Sequence, residues 1–247
     1  MNTKIYMVRH GETPWNINGR FQGSSDIPLN DKGREQAGFA RDALAGVHFD
    51  AVYASPLKRA METAQIICQP HPGLTIIPEP GFREQSVGTW EGHTFDELEA
   101  EHPGCKEMWL DTPAQMTFPE GERLAEVQLR ALSAFLRVAD SHPGQTLLIV
   151  SHMVCLSTML DAFGGVTLDD IWLHPIANAG INIVEVASSS SSDKAPAGLP
   201  SDLRDLVNRT EILEWNHDEH LPEEYRRKPA ASIRRIQELR EAKAEQK

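Results

Sequence analysis

The amino-acid sequence predicts an α/β fold built on a mostly parallel central sheet. Short apolar runs alternate along the chain with longer segments of helical periodicity, which is the order of elements found in parallel sheets. Residues 146–150 show no polar alternation. Such a run is typical of a strand buried on both faces, so we place it at the centre of the sheet.

The first part of the chain contains two strand and helix pairs. Residues 5–8 form the first predicted strand, and a helix is predicted over residues 31–44. Residues 51–53 form the second strand. The next helix is predicted over residues 57–68, because Pro56 suits the start of a helix.

The middle of the chain is predicted to add a helix over residues 123–139, the strand at 146–150 and a helix that begins near Met153. Between residues 82 and 122 the pattern weakens into Gly, Pro and short helical pieces. We expect this segment to cross the top of the sheet, where such excursions commonly set the choice of ligand.

The last part of the chain predicts a hairpin with a long loop. Strand-like runs at residues 181–186 and 210–215 flank a Ser-, Pro- and Gly-containing stretch, which we interpret as a flexible loop over residues 187–208. One domain is therefore expected over residues 1–222. The strongly charged residues 223–247 form either a docking helix or a solvated tail.

Composition limits the partners and the compartment. The 247 residues include 36 acidic and 24 basic side chains, and the formal charge of -12 opposes binding to nucleic acid or to an anionic membrane surface. No apolar run is long enough for a signal peptide or a membrane span, so a cytoplasmic location is expected. The three cysteines are scattered, and we interpret them as reduced thiols rather than a disulfide or zinc framework.

Two predicted strands end in histidine. Arg9 and His10 follow the first strand, and His152 follows the central one. Because ligands bind at the carboxyl ends of strands in open α/β sheets, both histidines are expected at one site. A guanidinium beside an imidazole supplies an anion clamp and a nucleophile, and Arg59 near a helix N-terminus adds a further anion site.

In these and other motifs the sequence resembles the histidine phosphatase superfamily, which includes phosphoglycerate mutases and bacterial phosphatases. The resemblance covers roughly residues 3 to 222. It is carried by Arg9-His10-Gly11-Glu12-Thr13 with Asn16, by Gly19-Arg20-Phe21-Gln22-Gly23, by Ser55-Pro56-Leu57-Lys58-Arg59-Ala60, by Arg83-Glu84 with Gly88-Thr89-Trp90-Glu91-Gly92, by Ser151-His152, and by Asn216 with His220-Leu221. It implies a three-layer α/β/α sandwich of the phosphoglycerate mutase type.

The resemblance also implies the role of each site residue. His10 is the expected nucleophile, Arg9, Arg59 and His152 bind the phosphoryl oxygens, and Glu84 is the general acid and base. The implied substrate contacts at the pocket are Asn16, Gln22, Gly23 and Met153. Met153 stands where the superfamily often has glycine, which bears on substrate size.

The reaction is expected to need neither a metal nor a cofactor. Fixed cations can stabilise a transferring phosphoryl group, and two nearby guanidinium groups keep His10 neutral for attack. Glu84 would have to be protonated at working pH, which predicts an acidic to neutral optimum. A metal hydrolase that uses His10, His152 and Glu84 is disfavoured, because the arginines would repel a dication.

Three functions remain open from the sequence. The leading hypothesis is hydrolysis of a small phosphorylated metabolite by a monomer or homodimer. Phosphoglycerate mutase activity is the first alternative, although the insertion and basic stretch characteristic of mutases are not found after Glu84. A non-catalytic binding protein on the same fold is the second. The substrate is not fixed among sugar phosphates, phosphoglycerates, phosphoserine, nucleotides and α-ribazole phosphate.

Overall fold

A computed structural model describes residues 1–189 and 193–226. Its sheet has six strands in the order β3-β2-β4-β1-β5-β6. The strands are β1 (Thr3–Arg9), β2 (Ala51–Ala54), β3 (Ile76–Pro78), β4 (Thr146–Ser151), β5 (Ile181–Val186) and β6 (Thr210–His217). Strands β1 to β4 run parallel to one another, whereas β5 runs antiparallel to both β1 and β6.

Eight α-helices lie in the described part of the chain. They are α1 (Pro14–Ile17), α2 (Asp31–Leu44), α3 (Lys58–Ile67), α4 (Phe95–Glu101), α5 (Cys105–Asp111), α6 (Leu124–Ser141), α7 (Met153–Gly164) and α8 (Ser201–Arg209). Several begin at a residue whose side chain caps the helix. Asn30, for example, caps α2 by accepting a hydrogen bond from the Gly33 backbone.

The sheet separates two apolar cores, which establishes three layers. On one face, Leu148 and Val150 of β4 pack in a cluster with buried side chains of α2 and α3. On the other face, Leu147 and Ile149 pack in a cluster with side chains of α6, α7 and α8. Alternate residues of β4 thus enter opposite cores, which explains why this strand carries no polar alternation. The expected α/β/α sandwich is confirmed.

Most predicted elements are present within a few residues of their expected bounds. The helices predicted over 31–44, 57–68 and 123–139 correspond to α2, α3 and α6, and the central strand is β4. Three short elements were not individually predicted. Helix α1 has four residues, strand β3 has only three, and α5 begins at Cys105 after a left-handed Gly104.

The loop prediction over residues 187–208 is wrong for its second half. Helix α8 occupies Ser201–Arg209 and leads directly into β6. Its buried side chains, Leu203, Leu206 and Val207, follow helical spacing and pack in the core on the α6 and α7 side. The preceding Ser-, Pro- and Gly-rich composition concealed this face. The predicted tail lies outside the described residues from residue 227 onward.

No helix in the described segments combines the length and the apolar character that crossing a bilayer requires.

Candidate active site

Two neighbouring strand ends bring His10 and His152 together. Strands β1 and β4 pair in parallel with Arg9 opposite Ser151. The backbone N–H of His10 donates to the Ser151 carbonyl at 2.9 Å. The centroids of the two imidazole rings are 5.1 Å apart. The predicted meeting of the two histidines at one sheet edge is therefore present in the structure.

The environment of His10 selects one neutral tautomer. Its Nδ1 lies 2.6 Å from the Gly11 carbonyl oxygen, which can only accept, so Nδ1 carries the hydrogen and Nε2 carries the lone pair. Burial, followed by the charges of Arg59 and Arg9, holds the pKa of His10 well below its ordinary value of 6.5. A neutral imidazole with a free Nε2 lone pair is the state that a nucleophile requires.

Tight glycine packing anchors the segment after His10. A Cβ atom on Gly11 would lie 2.2 Å from the Gly33 carbonyl oxygen, and one on Gly33 would lie 2.1 Å from the Glu12 carbonyl oxygen. Neither position has room for a side chain. The N-terminus of α2 therefore packs directly against the backbone that follows His10 and fixes its position.

Arg59 is a fully buried cation at the start of α3. Its Nη1 and Nη2 donate to the Ser25 and Gly23 carbonyl oxygens at 2.7 and 2.8 Å, and its Nε donates to His152 Nδ1 at 3.2 Å. Burial lowers the pKa of Arg59 to about 10, so the guanidinium is charged at neutral pH.

His152 is a donor to Ser55 in this arrangement. Its Nδ1 accepts from Arg59, so Nε2 carries the hydrogen and donates to Ser55 Oγ, which lies 2.7 Å away. Burial, followed by the charge of Arg59, holds the pKa of His152 well below its ordinary value. The second ring is thus neutral and is fixed through both nitrogens.

Arg9 is held from the opposite side of the site. Its Nη1 donates to the Ile176 carbonyl oxygen at 2.5 Å. The neighbouring Asn178 donates from Nδ2 to the His10 carbonyl oxygen at 3.0 Å. Residues 176–179, which precede β5, therefore hold both members of the Arg9 and His10 pair.

Glu84 lies at the N-terminus of α7, beside His152. Its Oε1 accepts from the Gln85 and Cys155 backbone N–H groups at 3.0 and 3.2 Å, and its Oε2 accepts from the Val154 N–H at 3.4 Å. The side chain is half-buried and lines the same cavity as His10. These backbone donors hold the Glu84 carboxyl group at the wall of the cavity.

Arg130 fixes the backbone that carries Glu84. It forms a two-point ion pair with Glu122, with distances of 2.7 and 2.9 Å. It also donates to three carbonyls of this loop, those of Gly81 and Arg83 at 2.9 Å and that of Glu84 at 3.0 Å. One side chain of α6 thus sets the course of the loop that presents Glu84.

The remaining predicted residues line a cavity of about 480 Å³ above the two histidines. Asn16 Oδ1 caps α1 by accepting from the Thr13 backbone, and Gln22 Oε1 accepts from Thr13 Oγ1 at 2.9 Å. Gly23 contributes the carbonyl that holds Arg59. Met153 lines the cavity as the first residue of α7.

Three supporting residues received no role from the sequence. Ser55 belongs to a motif and follows strand β2, which was a usable signal for a contact with His152. Asn178 and Arg130 lie far along the chain from the groups they hold, and no local pattern marks them. In the described ranges, no group of three or more His, Cys, Asp or Glu side chains is placed to hold a metal ion.

The cysteines match their interpretation as thiols. Cys68, Cys105 and Cys155 are all free, and the last two are buried. Burial raises the pKa of the Cys155 thiol to about 11, although it lies one helical turn from His152. It is therefore a protonated, unreactive group at neutral pH.

Comparison with known proteins places these features in a family. Residues 5–192 match the family model described as histidine phosphatase superfamily, branch 1. Phosphoserine phosphatase 1 of Hydrogenobacter thermophilus is 34% identical over 183 residues, which cover 74% of this chain and 86% of that protein. A probable phosphoglycerate mutase of Cronobacter sakazakii is 34% identical over 162 residues, which cover 66% of this chain and 75% of that protein.

The fold is shared with a solved relative. The structure of Bacillus stearothermophilus YhfR superposes with a TM-score of 0.77 at 33% identity, covering 88% of this chain and 98% of that one. Both the sheet and the helical layers are therefore common to the two proteins.

Proposed function

Since this chain belongs to the histidine phosphatase superfamily, branch 1, and is a phosphomonoester hydrolase, we propose that it works through a covalent phosphohistidine on His10. One observation carries this proposal. A buried, neutral His10 with its Nε2 lone pair available lies between two buried guanidinium groups, those of Arg9 and Arg59, at the end of a cavity.

In the first half-reaction, Arg9 and Arg59 bind the oxygens of the phosphoryl group. His10 Nε2 attacks phosphorus as the bond to the ester oxygen breaks, and the two cations balance the charge on the phosphoryl oxygens. The negative charge of the bound group favours a protonated Glu84, which gives its proton to the departing alkoxide. His152 stays neutral and holds the Arg59 guanidinium in place, because its Nδ1 accepts from Arg59 Nε.

In the second half-reaction, water takes the place of the alcohol. Glu84, now a carboxylate, accepts a proton from this water as its oxygen attacks phosphorus. The bond between phosphorus and Nε2 breaks, phosphate leaves, and His10 returns to its neutral state. Each step uses only side chains of this chain, so the proposal requires no metal ion.

The test is phosphate release from a panel of phosphomonoesters in the presence of EDTA, with wild type compared with His10→Ala. We expect wild-type activity that survives the chelator and a loss of at least about 1,000-fold in kcat for the variant, because the nucleophile itself is removed. His48→Ala is the matched control, since the His48 side chain is 89% exposed and lies outside the site.

Two results would contradict the proposal. Interconversion of phosphoglycerates much faster than phosphate release from any ester would favour the mutase alternative. Phosphate release that survives His10→Ala would exclude His10 as the nucleophile.

The compartment and assembly are also proposed. Three free cysteines support a reducing, cytoplasmic location. We expect a monomer or a homodimer, which light scattering on the purified chain would distinguish.

A further inference from the structure

We infer that the cavity selects phosphomonoesters whose alcohol portion is apolar and uncharged over esters that carry a carboxylate. This inference rests on the proposed function, because it concerns the part of the same cavity that lies beyond the phosphoryl site. It names a substrate class that the relatives' names do not suggest, since phosphoserine and phosphoglycerate both carry a carboxylate.

The walls of the cavity beyond His10 are apolar. They come from the segment after α1, from α4 and α5, from the start of α7 and from the segment before β5. The principal side chains are Phe21, Phe95, Trp109, Leu110, Met153 and Trp172. A volume of about 480 Å³ falls within the range of ~300–1,000 Å³ for small-molecule sites. The phosphoryl group alone does not require walls of this kind.

The aromatic side chains of this wall already pack against one another. The ring centroids of Phe21 and Phe95 are 4.6 Å apart, and those of Trp109 and Trp172 are 4.5 Å apart. The Trp172 indole N–H donates to the Trp109 carbonyl oxygen at 2.6 Å, so its polar atom is satisfied within the protein. The wall therefore offers an apolar surface that needs little ordering when a ligand binds.

The charges around the cavity disfavour a carboxylate on the substrate. Among the described residues that line it, the cations are Arg9, Arg59 and Arg20. The first two belong to the phosphoryl site. Arg20 forms an ion pair with Glu97 at 3.0 Å and donates to the Gly92 carbonyl at 2.5 Å, so it is already neutralised. Asp218 adds a negative charge to the lining, which repels an anionic substituent.

Of the side-chain amide oxygens that line the cavity, those of Asn16, Gln22 and Asn216 are engaged, whereas Gln85 Oε1 has no hydrogen-bond partner among the described residues. The side-chain oxygens of Asn16 and Gln22 accept hydrogen bonds from Thr13. Asn216 Oδ1 accepts from the Ala177 backbone N–H at 2.7 Å. These three amides are acceptors that a polyhydroxylated alcohol would need, and they are used inside the protein. Burial of apolar surface is thus the main source of affinity left for the alcohol portion.

The test compares hexyl phosphate with its ω-carboxylate analogue. Both esters release a primary alkoxide, so the difference between them reports recognition rather than leaving-group reactivity. We expect wild type to show a kcat/KM at least about tenfold higher for hexyl phosphate. Phenethyl phosphate should rank with the hexyl ester, whereas phosphoserine should rank with the carboxylate.

A charge placed on the wall should weaken this preference. Leu110 lines the cavity from α5 and is partly buried, so Leu110→Lys puts a flexible cation there. We expect it to reduce the ratio of the two kcat/KM values at least about fivefold. Leu110→Met is the uncharged control and should keep the wild-type ranking. An unchanged inhibition constant for inorganic phosphate would show that the phosphoryl site is intact in both variants.

The outcomes separate the inference from the proposed function. Equal rates for the two hexyl esters, or faster release from the carboxylate, would overturn the inference and leave the phosphatase proposal in place. No phosphate release from any ester by wild type would overturn both.

Discussion

The protonation state of His10 follows from its immediate surroundings, and it can be measured. Burial and two guanidinium groups lower the pKa of His10. The imidazole therefore stays neutral at pH values just below 6.5, and it is protonated, and so inactive as a nucleophile, only when the pH reaches the lowered pKa. For a histidine of pKa 6.5, only about one molecule in 30 would carry a neutral imidazole at pH 5.

We therefore expect kcat/KM, corrected for the second ionisation of the ester, not to fall as the pH is lowered from 7 to 5. The measurement is a pH profile with an ester whose ionisation has been titrated separately. An acid limb centred near the ordinary histidine value would show that the neutral state of His10 is not protected.

Asp161 is a second titratable residue that the fold places in an unusual setting. It lies in α7, fully buried, and both carboxyl oxygens have no hydrogen-bond partner among the described residues. Burial raises its pKa from 3.8 to about 7. The folded chain therefore keeps this proton between the two values while the unfolded chain loses it, so stability falls as pH rises through that range.

Asp161→Asn should remove this dependence. The quantity compared is the free energy of unfolding of the variant minus that of wild type. We expect this difference to be about 4 kcal/mol larger at pH 8 than at pH 4, which follows from the difference between the two pKa values of Asp161. Urea unfolding at both pH values measures it. Asp96→Asn, at a side chain that is 93% exposed, should show no such difference. If Asp161→Asn also changed the free energy of unfolding equally at both pH values, the buried carboxyl group would not be protonated in the folded chain.

At the scale of single residues, the sequence marked the proposed reacting groups better than their supports. Arg9, His10 and His152 lie at strand ends and Arg59 lies at the start of α3, whereas Glu84 lies in a loop and was marked only by its motif. Arg130 and Asn178 act across long sequence separations on backbone carbonyls. A carbonyl acceptor is present in every residue, so no side-chain pattern could reveal which one a distant arginine or asparagine would bind.

At the scale of elements, α6 and α7 position Glu84 together. Backbone N–H groups at the N-terminus of α7 donate to the Glu84 carboxylate, and Arg130 of α6 donates to the backbone carbonyls of Arg83 and Glu84. Lysine cannot form the two-point pair with Glu122 or reach several carbonyls at once. We expect Arg130→Lys to lower kcat at least about tenfold with little change in KM, because proton transfer suffers more than phosphoryl binding.

The matched control for that variant lies on the same helix. Arg137 pairs with Glu79, and its side chain is 62% exposed. Arg137→Lys should leave steady-state kinetics unchanged. If Arg130→Lys also left kcat and KM unchanged, or if it raised KM alone, Arg130 would not position the proposed general acid.

The elements also show where sequence prediction reaches its limit. Helix α2 was predicted at its true bounds from its helical periodicity, and in the structure Asn30 caps it. Helix α8 was missed, because it has only nine residues and follows a stretch rich in turn formers. Its helical state depends on Leu203, Leu206 and Val207 finding a core built by α6 and α7. That contact is a property of the tertiary fold rather than of the local sequence.

At the scale of the whole molecule, the sheet order predicts a gradient of local stability. Strand β1 is hydrogen-bonded on both sides, to β4 and β5, whereas β3 and β6 each have one neighbour. We expect amide hydrogen exchange to be slowest in peptides covering β1 and β4 and faster in those covering β3 and β6. Mass spectrometry of exchanged peptides measures this order. Faster exchange in β1 than in β6 would contradict it.

The central place of β1 also has a consequence for how the protein is made. Its partners are residues 146–151 and 181–186, so β1 is synthesised about 140 residues ahead of the first strand with which it pairs. At ~5–20 residues per second, that interval is roughly 7 to 30 seconds. During this time the strand that carries Arg9 and precedes His10 has no neighbour with which to pair. The nascent chain is then a natural client for chaperones that bind apolar segments near the exit tunnel.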